Sequence, residues 1–311
     1  MRRLASSSGY LATLAMLAMV MLPAAVTLRT VHATALQTRV AESASRYGYT
    51  VSLLLFAVPS LFILSWFLGQ QRLTISKRAF GWTIGILFPM GAALDFFFAQ
   101  LFFVFPNHAA TLGIRAPALG GGVPLEEYAF YLLGFVAVLL VYIWFDEYWL
   151  AAYSVPAAER IDFHRLLRFH PASLLVALAL LAAGILYQRL VVGVAGRFPG
   201  YFVFLVLGAL LPSSALLPTA RPVINWRALS LTMFLLLTIS LLWEVTLALP
   251  YGWWNFRDAQ MLGIRITAWS YLPLEEVYVW VAVTYSSVIV YEIVKRWKAS
   301  GRPARHAFLG R

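Results

Sequence analysis

The chain has 311 residues, of which 61% are hydrophobic and 12% charged, and its formal net charge is +11. This composition, with a mean hydropathy of +0.78, excludes an ordinary soluble domain and is typical of a polytopic membrane protein. The absence of cysteine excludes disulfides, thiolate metal sites and cysteine nucleophiles. Since Lys and Arg lie mainly between apolar segments, we expect a lipid bilayer and no nucleic acid as partner.

Eight apolar segments are long enough, or nearly so, to cross the ~30 Å hydrocarbon core of a bilayer. Arg2 and Arg3 precede the first segment, which can also be interpreted as a secretory signal peptide; it lacks a convincing cleavage site, so we expect a retained helix. The predicted fold is an all-α membrane helix bundle of about eight transmembrane helices. Its segments lie at 10–27, 49–69, 79–104, 124–145, 171–188, 201–217, 228–249 and 272–294.

The distribution of basic residues predicts the orientation. Eight spans place both termini on one side of the membrane, and that side carries 16 Lys and Arg residues against 8 on the other. Because cytoplasmic loops are enriched in Lys and Arg, both termini are expected in the cytoplasm.

Two acidic motifs recur in matching surroundings. The sequence PLEE occupies 124–127 and again 273–276, and each copy follows a Leu-Gly-Ile-Arg sequence, at 112–115 and at 262–265. Each motif therefore combines a basic residue and a pair of adjacent carboxylates at the start of an apolar segment.

An isolated acid precedes each motif inside an apolar segment. Asp95 lies 17 residues before Leu112, and Glu244 lies 18 residues before Leu262. Three elements in the same order with nearly equal gaps predict an internal duplication with a period of about 149 residues.

The duplication predicts the domain organisation. Four spans separate equivalent positions, an even number, so the repeats should be parallel and related by an axis along the membrane normal. We expect a first four-helix repeat at 1–150, a cytoplasmic linker at 151–170 and a second four-helix repeat at 171–311.

Helix capping explains the acids only in part. A carboxylate in the first turn is stabilised by the helix dipole by about 0.3–1 kcal/mol, and proline is favoured there. Capping does not explain an adjacent pair in both copies, nor Asp95 and Glu244, since an ionised acid within hydrocarbon costs several kcal/mol. Adjacent helical residues diverge by about 100°. One Glu of each pair can therefore face the interior while its neighbour binds Arg115 or Arg265, or accepts backbone N–H groups.

A neutral carboxylic acid facing an apolar cavity can act as a Brønsted acid on a substrate without polar groups. Aromatic residues surround the motifs, and we expect about half of them to form an interfacial belt. The others are expected to line a cavity whose π faces stabilise a cation, as proton-initiated polyene cyclisation requires. The candidate catalytic residues are Glu275, Glu276, Glu126, Glu127, Glu244 and Asp95. The candidate substrate-binding residues are Trp243, Trp253, Trp254, Tyr278, Tyr128, Phe98, Arg115 and Arg265.

At these residues the chain resembles the membrane-integral lycopene cyclases of bacteria, archaea and fungi. In that family two homologous small subunits, or two fused domains, each carry a P-[LI]-E-E motif after a Gly-[IV]-[RK] stretch. The matching stretches here are Gly-Ile-Arg at 113–115 and 263–265, and Trp243-Glu244 is similar to the family's Trp-Asp pair. The first copy keeps Asp95 but has no equivalent tryptophan.

The resemblance implies a fused, single-chain enzyme that isomerises the ψ end groups of lycopene, or of a related acyclic carotenoid, to β-type rings without redox change. It implies a bacterial inner-membrane location, a hydrophobic carotenoid substrate, no cofactor, no metal, and other carotenoid enzymes as possible partners. The expected donor is one of the paired glutamates, Glu275 or Glu276 first, with Asp95 and Glu244 orienting it or sharing its proton. The absence of G-x-G-x-x-G and P-loop sequences agrees with a non-redox reaction.

Two other functions remain open at this point. A proton-initiated cyclase acting on another long isoprenoid would need the same residues. A proton-coupled transporter would also have intramembrane acids and parallel repeats, although the acids here cluster at one depth. A prenyl transferase is disfavoured because it needs D-x-x-x-D clusters for Mg²⁺. His108 lies near the first motif and is better interpreted as a solvated loop residue than as a proton relay.

Overall fold

A computed structural model describes residues 46–267 and 269–310. Within these residues seven helical segments are long and apolar enough to cross a membrane. The protein is therefore an integral membrane protein whose outer helix faces contact lipid, as the exposed side chains of Leu61, Phe62, Leu175 and Phe234 illustrate. The predicted span at 10–27, its alternative as a signal peptide and the side on which the N-terminus lies fall outside the described residues.

The helices begin and end close to the predicted positions. Every predicted span at or beyond residue 49 has a helix whose ends lie within six residues of the prediction. The helices are α1 Gly48–Gly69, α2 Thr74–Phe102, α3 Leu125–Trp144, α4 Ala157–Arg160, α5 Pro171–Tyr187, α6 Gly200–Ala220, α7 Trp226–Trp243, α8 Leu274–Ser300 and α9 Ala304–Leu309.

Three helices end in a π-helical turn. These turns are Phe145–Trp149 after α3, Gln188–Val192 after α5 and Glu244–Ala248 after α7. A π turn widens the helix by one residue and is frequent at functional sites. Glu244 therefore begins a segment in which the backbone of this span changes its pitch.

A short hairpin precedes each PLEE helix. Strand β2 (Arg115–Ala116) pairs antiparallel with β3 (Val123–Pro124), and β5 (Arg265–Ile266) pairs antiparallel with β6 (Leu272–Pro273). The backbone then bonds in the same way in both places. The amide of Leu125 donates to the carbonyl of Ile114 at 2.9 Å, and the amide of Leu274 donates to the carbonyl of Ile264 at 3.0 Å.

The two loop regions also contact each other through strands β1 (Phe103–Val104) and β4 (Asn255–Phe256), which pair antiparallel. This pairing joins the segment that follows α2 to the segment that follows α7. It fixes the ends of these two helices, and thus the backbone near Glu244, on the same side of the bundle.

Helices α3 and α8 form the centre of the bundle and run in the same direction. Near their starts the rings of Phe130 and Trp280 lie 5.6 Å apart. Near their ends the rings of Tyr142 and Tyr291 lie 5.9 Å apart. Both helices are the most deeply buried of the seven candidate spans. A common direction is what parallel repeats require, while the duplication itself stays a prediction.

Residues 151–170, predicted as a linker, pack against the ends of the central helices. Arg160 is only 5% exposed and forms an ion pair with Glu292, and its Nη2 lies 3.7 Å from Asp146 Oδ2. Burial opposes the charge on this guanidinium, but Glu292 and Asp146 more than offset that effect and hold the pKa of Arg160 above its ordinary value. The charged Arg160 side chain thus attaches this segment to the bundle through Glu292 and Asp146.

Further charged residues complete this buried group at the ends of α3 and α8. Lys295 Nζ lies 3.0 Å from Asp146 Oδ2 and 2.9 Å from Glu147 Oε1. The hydroxyl of Tyr142 donates to Glu292 at 2.8 Å. We call Asp146, Glu147, Arg160, Glu292 and Lys295 the ionic cluster. It crosslinks the two central helices at the end opposite to the PLEE motifs.

Candidate active site

A cavity lies beside the starts of the two central helices. It contains about 700 Å³ of unoccupied space, counting its open mouth. Its walls are largely aromatic, and its polar groups are three carboxyls and the hydroxyls of three tyrosines. The lining residues are Tyr49, Phe103, Glu127, Phe130, Tyr131, Gly134, Phe135, Tyr201, Trp243, Glu244, Trp254, Glu276, Val279, Trp280 and Val283.

The acids of both motifs meet at this one cavity. Glu127 reaches it from α3, Glu276 from α8 and Glu244 from the π turn after α7. All three side chains are less than a tenth exposed. Residues about 149 positions apart in the sequence thus share a single site and do not form two separate ones.

The other glutamate of each pair is turned away from the cavity and fixes the preceding loop. The carboxylate of Glu126 accepts the backbone N–H of Leu112 at 2.7 Å, and that of Glu275 accepts the backbone N–H of Leu262 at 2.5 Å. We predicted either an arginine or backbone amides as the partner of the glutamate that turns aside. In the structure, Glu126 and Glu275 both bind backbone amides.

Arg115 and Arg265, predicted to bind substrate, do not line the cavity. Arg115 donates to the carbonyl of Gly122 and lies 3.4 Å from the His108 ring. Arg265 forms an ion pair with Asp258 and donates to the carbonyl of Tyr271 at 3.1 Å. Both lie on the hairpins, because the β pairing that aligns each PLEE motif places the arginine on the outer side of the loop.

Glu276 and Glu244 lie close together on the cavity wall. Their carboxyls are within hydrogen-bonding reach of each other, Tyr201 reaches Glu276, and Trp254 reaches Glu244. An ionised carboxylate is an acceptor only, so a hydrogen bond between two carboxyls requires a proton on one of them. We call Glu244 and Glu276 the carboxyl pair.

Glu127 belongs to a second group on the other central helix. Its Oε1 accepts the hydroxyl of Tyr49 at 2.7 Å. Asp95 on α2 lies close enough to interact electrostatically with Glu127, but it does not line the cavity. Both Asp95 oxygens are buried without a hydrogen-bond partner among the described residues.

Four aromatic rings wall the cavity between these acids. Phe130 stacks on Trp243 with 5.7 Å between ring centroids and meets the edge of Trp280 at 5.6 Å. Trp254 lies 5.1 Å from Trp243. The ring faces carry negative potential, so a cation that forms between them is stabilised without a counter-ion.

Besides Arg115 and Arg265, four more of the predicted substrate-binding residues lie outside the cavity lining. Trp253 lies behind it, stacked on Tyr49 at 5.7 Å. Phe98 and Tyr278 belong to a neighbouring aromatic cluster around Phe102. The Tyr128 hydroxyl donates to the carbonyl of Pro117 at 2.8 Å, because the side chain that follows Glu127 is rotated by about 100° toward the loop.

Tyr49 and Tyr201 are the functional candidates that sequence reasoning missed. Each follows a glycine at the start of a helix, Gly48 before Tyr49 and Gly200 before Tyr201. These Gly-Tyr pairs precede Glu127 and Glu276 by 78 and 75 residues. The recurrence of this dipeptide at nearly equal distances was the available signal.

A second cavity, lined by apolar residues and Ser240, adjoins the first. It contains about 450 Å³ of unoccupied space and shares Phe130, Gly134, Trp243 and Trp280 with the first cavity. Along α7 its lining extends from Trp243 back to Leu236, seven residues or roughly 10 Å of helix. Of these two adjoining cavities, only the first has acids in its lining.

Among the described residues no group of three His, Cys, Asp or Glu side chains is placed to hold a metal ion. Comparisons of the chain with protein-family models, with curated proteins and with solved structures gave no match.

Proposed function

We propose that the protein is a membrane-embedded cyclase that closes the ψ end group of lycopene, or of a related acyclic carotenoid, to a β-type ring by proton-initiated isomerisation. The observation that carries this proposal is the carboxyl pair on the wall of an aromatic, otherwise apolar cavity. The apolar walls of this cavity fit a substrate without polar groups. In such a substrate, an electron-rich alkene is the group that can accept the proton.

The reaction begins with transfer of a carboxyl proton to C2 of the terminal C1=C2 double bond, which leaves a tertiary cation at C1. The electrons of the C5=C6 bond then form the C1–C6 bond, and the charge moves to C5. Loss of the C6 proton restores the C5=C6 double bond within a β ring. The substrate and product are isomers, so the reaction consumes no oxidant and no reductant.

The aromatic walls contribute by stabilising the cation and excluding water. Phe130, Trp243, Trp254 and Trp280 surround the space beside the acids. Cation–π contacts in a desolvated site are worth about 2 kcal/mol or more each. Water in the same place would trap the cation as an alcohol, so an apolar lining also preserves the ring product.

The second cavity accommodates the chain that follows the reacting end. Its lining has no ionisable residue, as a conjugated hydrocarbon chain requires. Gly134 stands where the two cavities join, and the absence of a side chain there leaves the passage open. The apolar helix faces around it allow a membrane-dissolved substrate to arrive from the bilayer.

The proposed architecture is two parallel four-helix repeats. In the first, α1, α2 and α3 supply Tyr49, Asp95 and Glu127; in the second, α6, α7 with its π turn, and α8 supply the matching Tyr201, Glu244 and Glu276. Helix α5 and the predicted span at 10–27 would complete the two sets. Cytoplasmic termini and a bacterial inner-membrane location belong to the same proposal.

Expression in a host that accumulates lycopene, followed by pigment chromatography, tests this function. Carotenoids with β rings are expected, and Glu276→Gln expressed to the same level should leave lycopene unchanged. If the folded protein leaves lycopene untouched, feeding other long isoprenoids tests the wider cyclase class. Proton flux into liposomes that depends on an added solute would contradict the proposal and indicate a transporter.

A further inference from the structure

The cavity receives its acids from two separate groups. Glu276 and Glu244 lie close to each other on the α7–α8 side, whereas Glu127 accepts the hydroxyl of Tyr49 on the α1–α3 side. Glu127 and Glu276 interact electrostatically across the space, and no hydrogen bond joins them among the described residues. A ring closure that begins and ends with proton transfer needs two such groups, one for each transfer.

From this geometry we propose that the two groups have opposite roles in one reacting centre: the carboxyl pair Glu244–Glu276 donates the proton that starts ring closure, and Glu127 accepts the proton that ends it. This inference rests on the proposed function and extends it. It also implies that one cavity closes one end group at a time, and that neither half of the chain is an independent enzyme.

The carboxyl pair is the donor because two buried carboxyls so close together cannot both be ionised, so that one of them keeps a proton. A carboxyl can donate only while it is protonated, and the Trp254 indole beside Glu244 is a donor and cannot accept that proton. The proton therefore lies between two carboxyls that both line the cavity. After the transfer, the remaining charge is shared within this pair and stabilised by the Tyr201 hydroxyl and the Trp254 N–H.

Glu127 is the acceptor because it lies apart from the carboxyl pair and accepts a phenol hydroxyl. The Tyr49 hydroxyl at 2.7 Å stabilises the ionised form of this carboxyl. Asp95, whose oxygens have no hydrogen-bond partner among the described residues, is a poor site for a charge. The proposed role requires a carboxylate at Glu127 and a neutral acid at Asp95, so that a single negative charge lies on this side of the cavity.

The proton balance closes within the site. The pair loses one proton to C2 of the substrate, and Glu127 gains one proton from C6 of the ring cation. The hydrocarbon is isomerised, and the protein is left with its proton on the other side of the cavity. Transfer of that proton back to the pair, directly or through solvent after product release, restores the starting state.

Isotope incorporation separates the two roles. In D₂O the wild-type protein in liposomes should form β rings with one deuterium at C2. Glu276→Gln should form no ring and place no deuterium in the recovered acyclic carotenoid, with ring formation lower by about 10²–10⁴-fold. Glu127→Gln still protonates C2 but lacks the base for C6. It should therefore return deuterated acyclic carotenoid and rings with a displaced double bond.

Three outcomes would overturn the assignment. Glu276→Gln that still introduces deuterium would move the donor elsewhere. Glu127→Gln that makes β rings at the wild-type rate without deuterated starting material would remove the acceptor role. Two single variants that each keep about half of the wild-type ring formation would indicate two independent sites.

Infrared spectroscopy tests the carboxyl pair without any turnover. The C=O stretch of a protonated carboxyl should persist in Glu276→Gln and in Glu244→Gln, because the remaining buried carboxyl keeps the proton. It should lose intensity in the double variant and be unchanged in Glu159→Gln, an exposed residue of α4. Unchanged intensity in the double variant would contradict a shared proton. If the wild-type protein shows this band but forms no rings from any carotenoid, the proposed function fails while the carboxyl pair stands.

Discussion

Glu275 and Glu276 are adjacent in the chain, yet their carboxyl groups lie in different environments. Glu275 accepts the backbone N–H of Leu262 at 2.5 Å, outside the cavity, whereas Glu276 lines the cavity beside Glu244. The cause is the helical rotation of about 100° between neighbours at the start of α8. The pair therefore offers two chemically identical substitutions, one at the candidate donor and one at a structural position.

Replacing Glu276 by Gln should abolish ring formation, while replacing Glu275 by Gln should leave most of it. A glutamine at 276 keeps the shape but cannot supply an acid proton, which costs about 10²–10⁴-fold in rate. A glutamine at 275 keeps an oxygen that accepts the Leu262 amide. Pigment analysis in the lycopene-accumulating host, normalised to protein in the membrane, measures both effects.

Thermal unfolding of Glu275→Gln and Glu276→Gln distinguishes a loss of catalysis from a loss of folding. Both variants should unfold within a few degrees of the wild type in detergent. Glu275→Ala, by contrast, leaves the buried Leu262 amide without an acceptor and should lower the unfolding free energy by about 1–3 kcal/mol. Equal loss of ring formation in Glu275→Gln and Glu276→Gln would refute the division between them.

The two cavity tyrosines predict different phenotypes. Tyr201→Phe removes a hydroxyl that reaches Glu276 and should slow ring formation, since the charge left after proton donation loses a hydrogen bond worth about 1.5–3 kcal/mol. Tyr49→Phe removes the donor to Glu127 and should instead change the position of the ring double bond. The measurement is the ratio of ring isomers together with the total ring yield.

Tyr128→Phe is the control for these variants, because its hydroxyl donates to the Pro117 carbonyl on the loop side. It should behave as the wild type in yield and isomer ratio. Indistinguishable phenotypes of Tyr49→Phe and Tyr201→Phe would argue against separate roles for the two acid groups.

Hydropathy alone predicted the helices because a bilayer leaves the backbone few alternatives to a continuous helix. The spans at 49–69 and 171–188 were therefore confirmed closely. The direction in which each side chain faces was harder to predict. The sequence showed that one glutamate of each pair must turn aside, but not which one, since that depends on where the helix begins relative to the preceding hairpin. Because the sequence does not show where the helix begins relative to the hairpin, it also does not show that Arg115 and Arg265 lie outside the cavity.

Long-range partners could not be predicted from spacing. The hydroxyl of Tyr49 donates to Glu127, which is 78 residues away in the sequence, and Arg160 forms an ion pair with Glu292, which is 132 residues away. Such contacts depend on how helices pack side by side, and a single sequence contains no measure of that. Arg160 was accordingly interpreted as part of the linker at 151–170, although it belongs to the buried ionic cluster.

Breaking the ionic cluster should destabilise the protein without changing its chemistry. Lys295→Met leaves Asp146 and Glu147 without their ammonium partner in a buried site, a loss of about 3–5 kcal/mol for a buried pair. Thermal unfolding in detergent, followed by tryptophan fluorescence, should show the loss. The product pattern of the remaining folded protein should be unchanged.

A second substitution tests whether the charge itself is responsible. Asp146→Asn in the Lys295→Met background removes the uncompensated carboxylate and should recover part of the stability. Lys77→Met is the control, since among the described residues the Lys77 ammonium donates to the Leu68 carbonyl alone, at an exposed position. A loss of equal size in Lys77→Met would show that the cluster has no special contribution.

Ring formation should need no redox cofactor and no metal. The proposed reaction is an isomerisation in which every transferred proton belongs to the protein or the substrate. Purified protein should therefore lack flavin absorbance, and activity in liposomes should survive a chelator and the omission of nicotinamide cofactors. Bound flavin, or activity lost to the chelator and restored by Mg²⁺, would eliminate the mechanism.

Gly134 provides a test of the joined cavities. It lies on α3 and lines both cavities, and an added Cβ there meets no atom within 4 Å. Gly134→Leu should therefore fill the junction without strain, and a leucine in a helix interior is more favourable than glycine by roughly 0.5–1 kcal/mol. We expect unchanged or slightly raised thermal stability together with a large loss of ring formation, measured on equal amounts of membrane protein.

Gly85→Leu is the matched control, because Gly85 on α2 is exposed and an added Cβ there also meets nothing within 4 Å. It carries the same change in propensity and volume to a lipid-facing surface, so its ring yield should equal that of the wild type. Gly134→Ala, which adds one methyl group, should fall between the two. Full activity in Gly134→Leu with intact folding would mean that the hydrocarbon chain does not pass this point, and the adjoining apolar cavity would then lose its role in binding it.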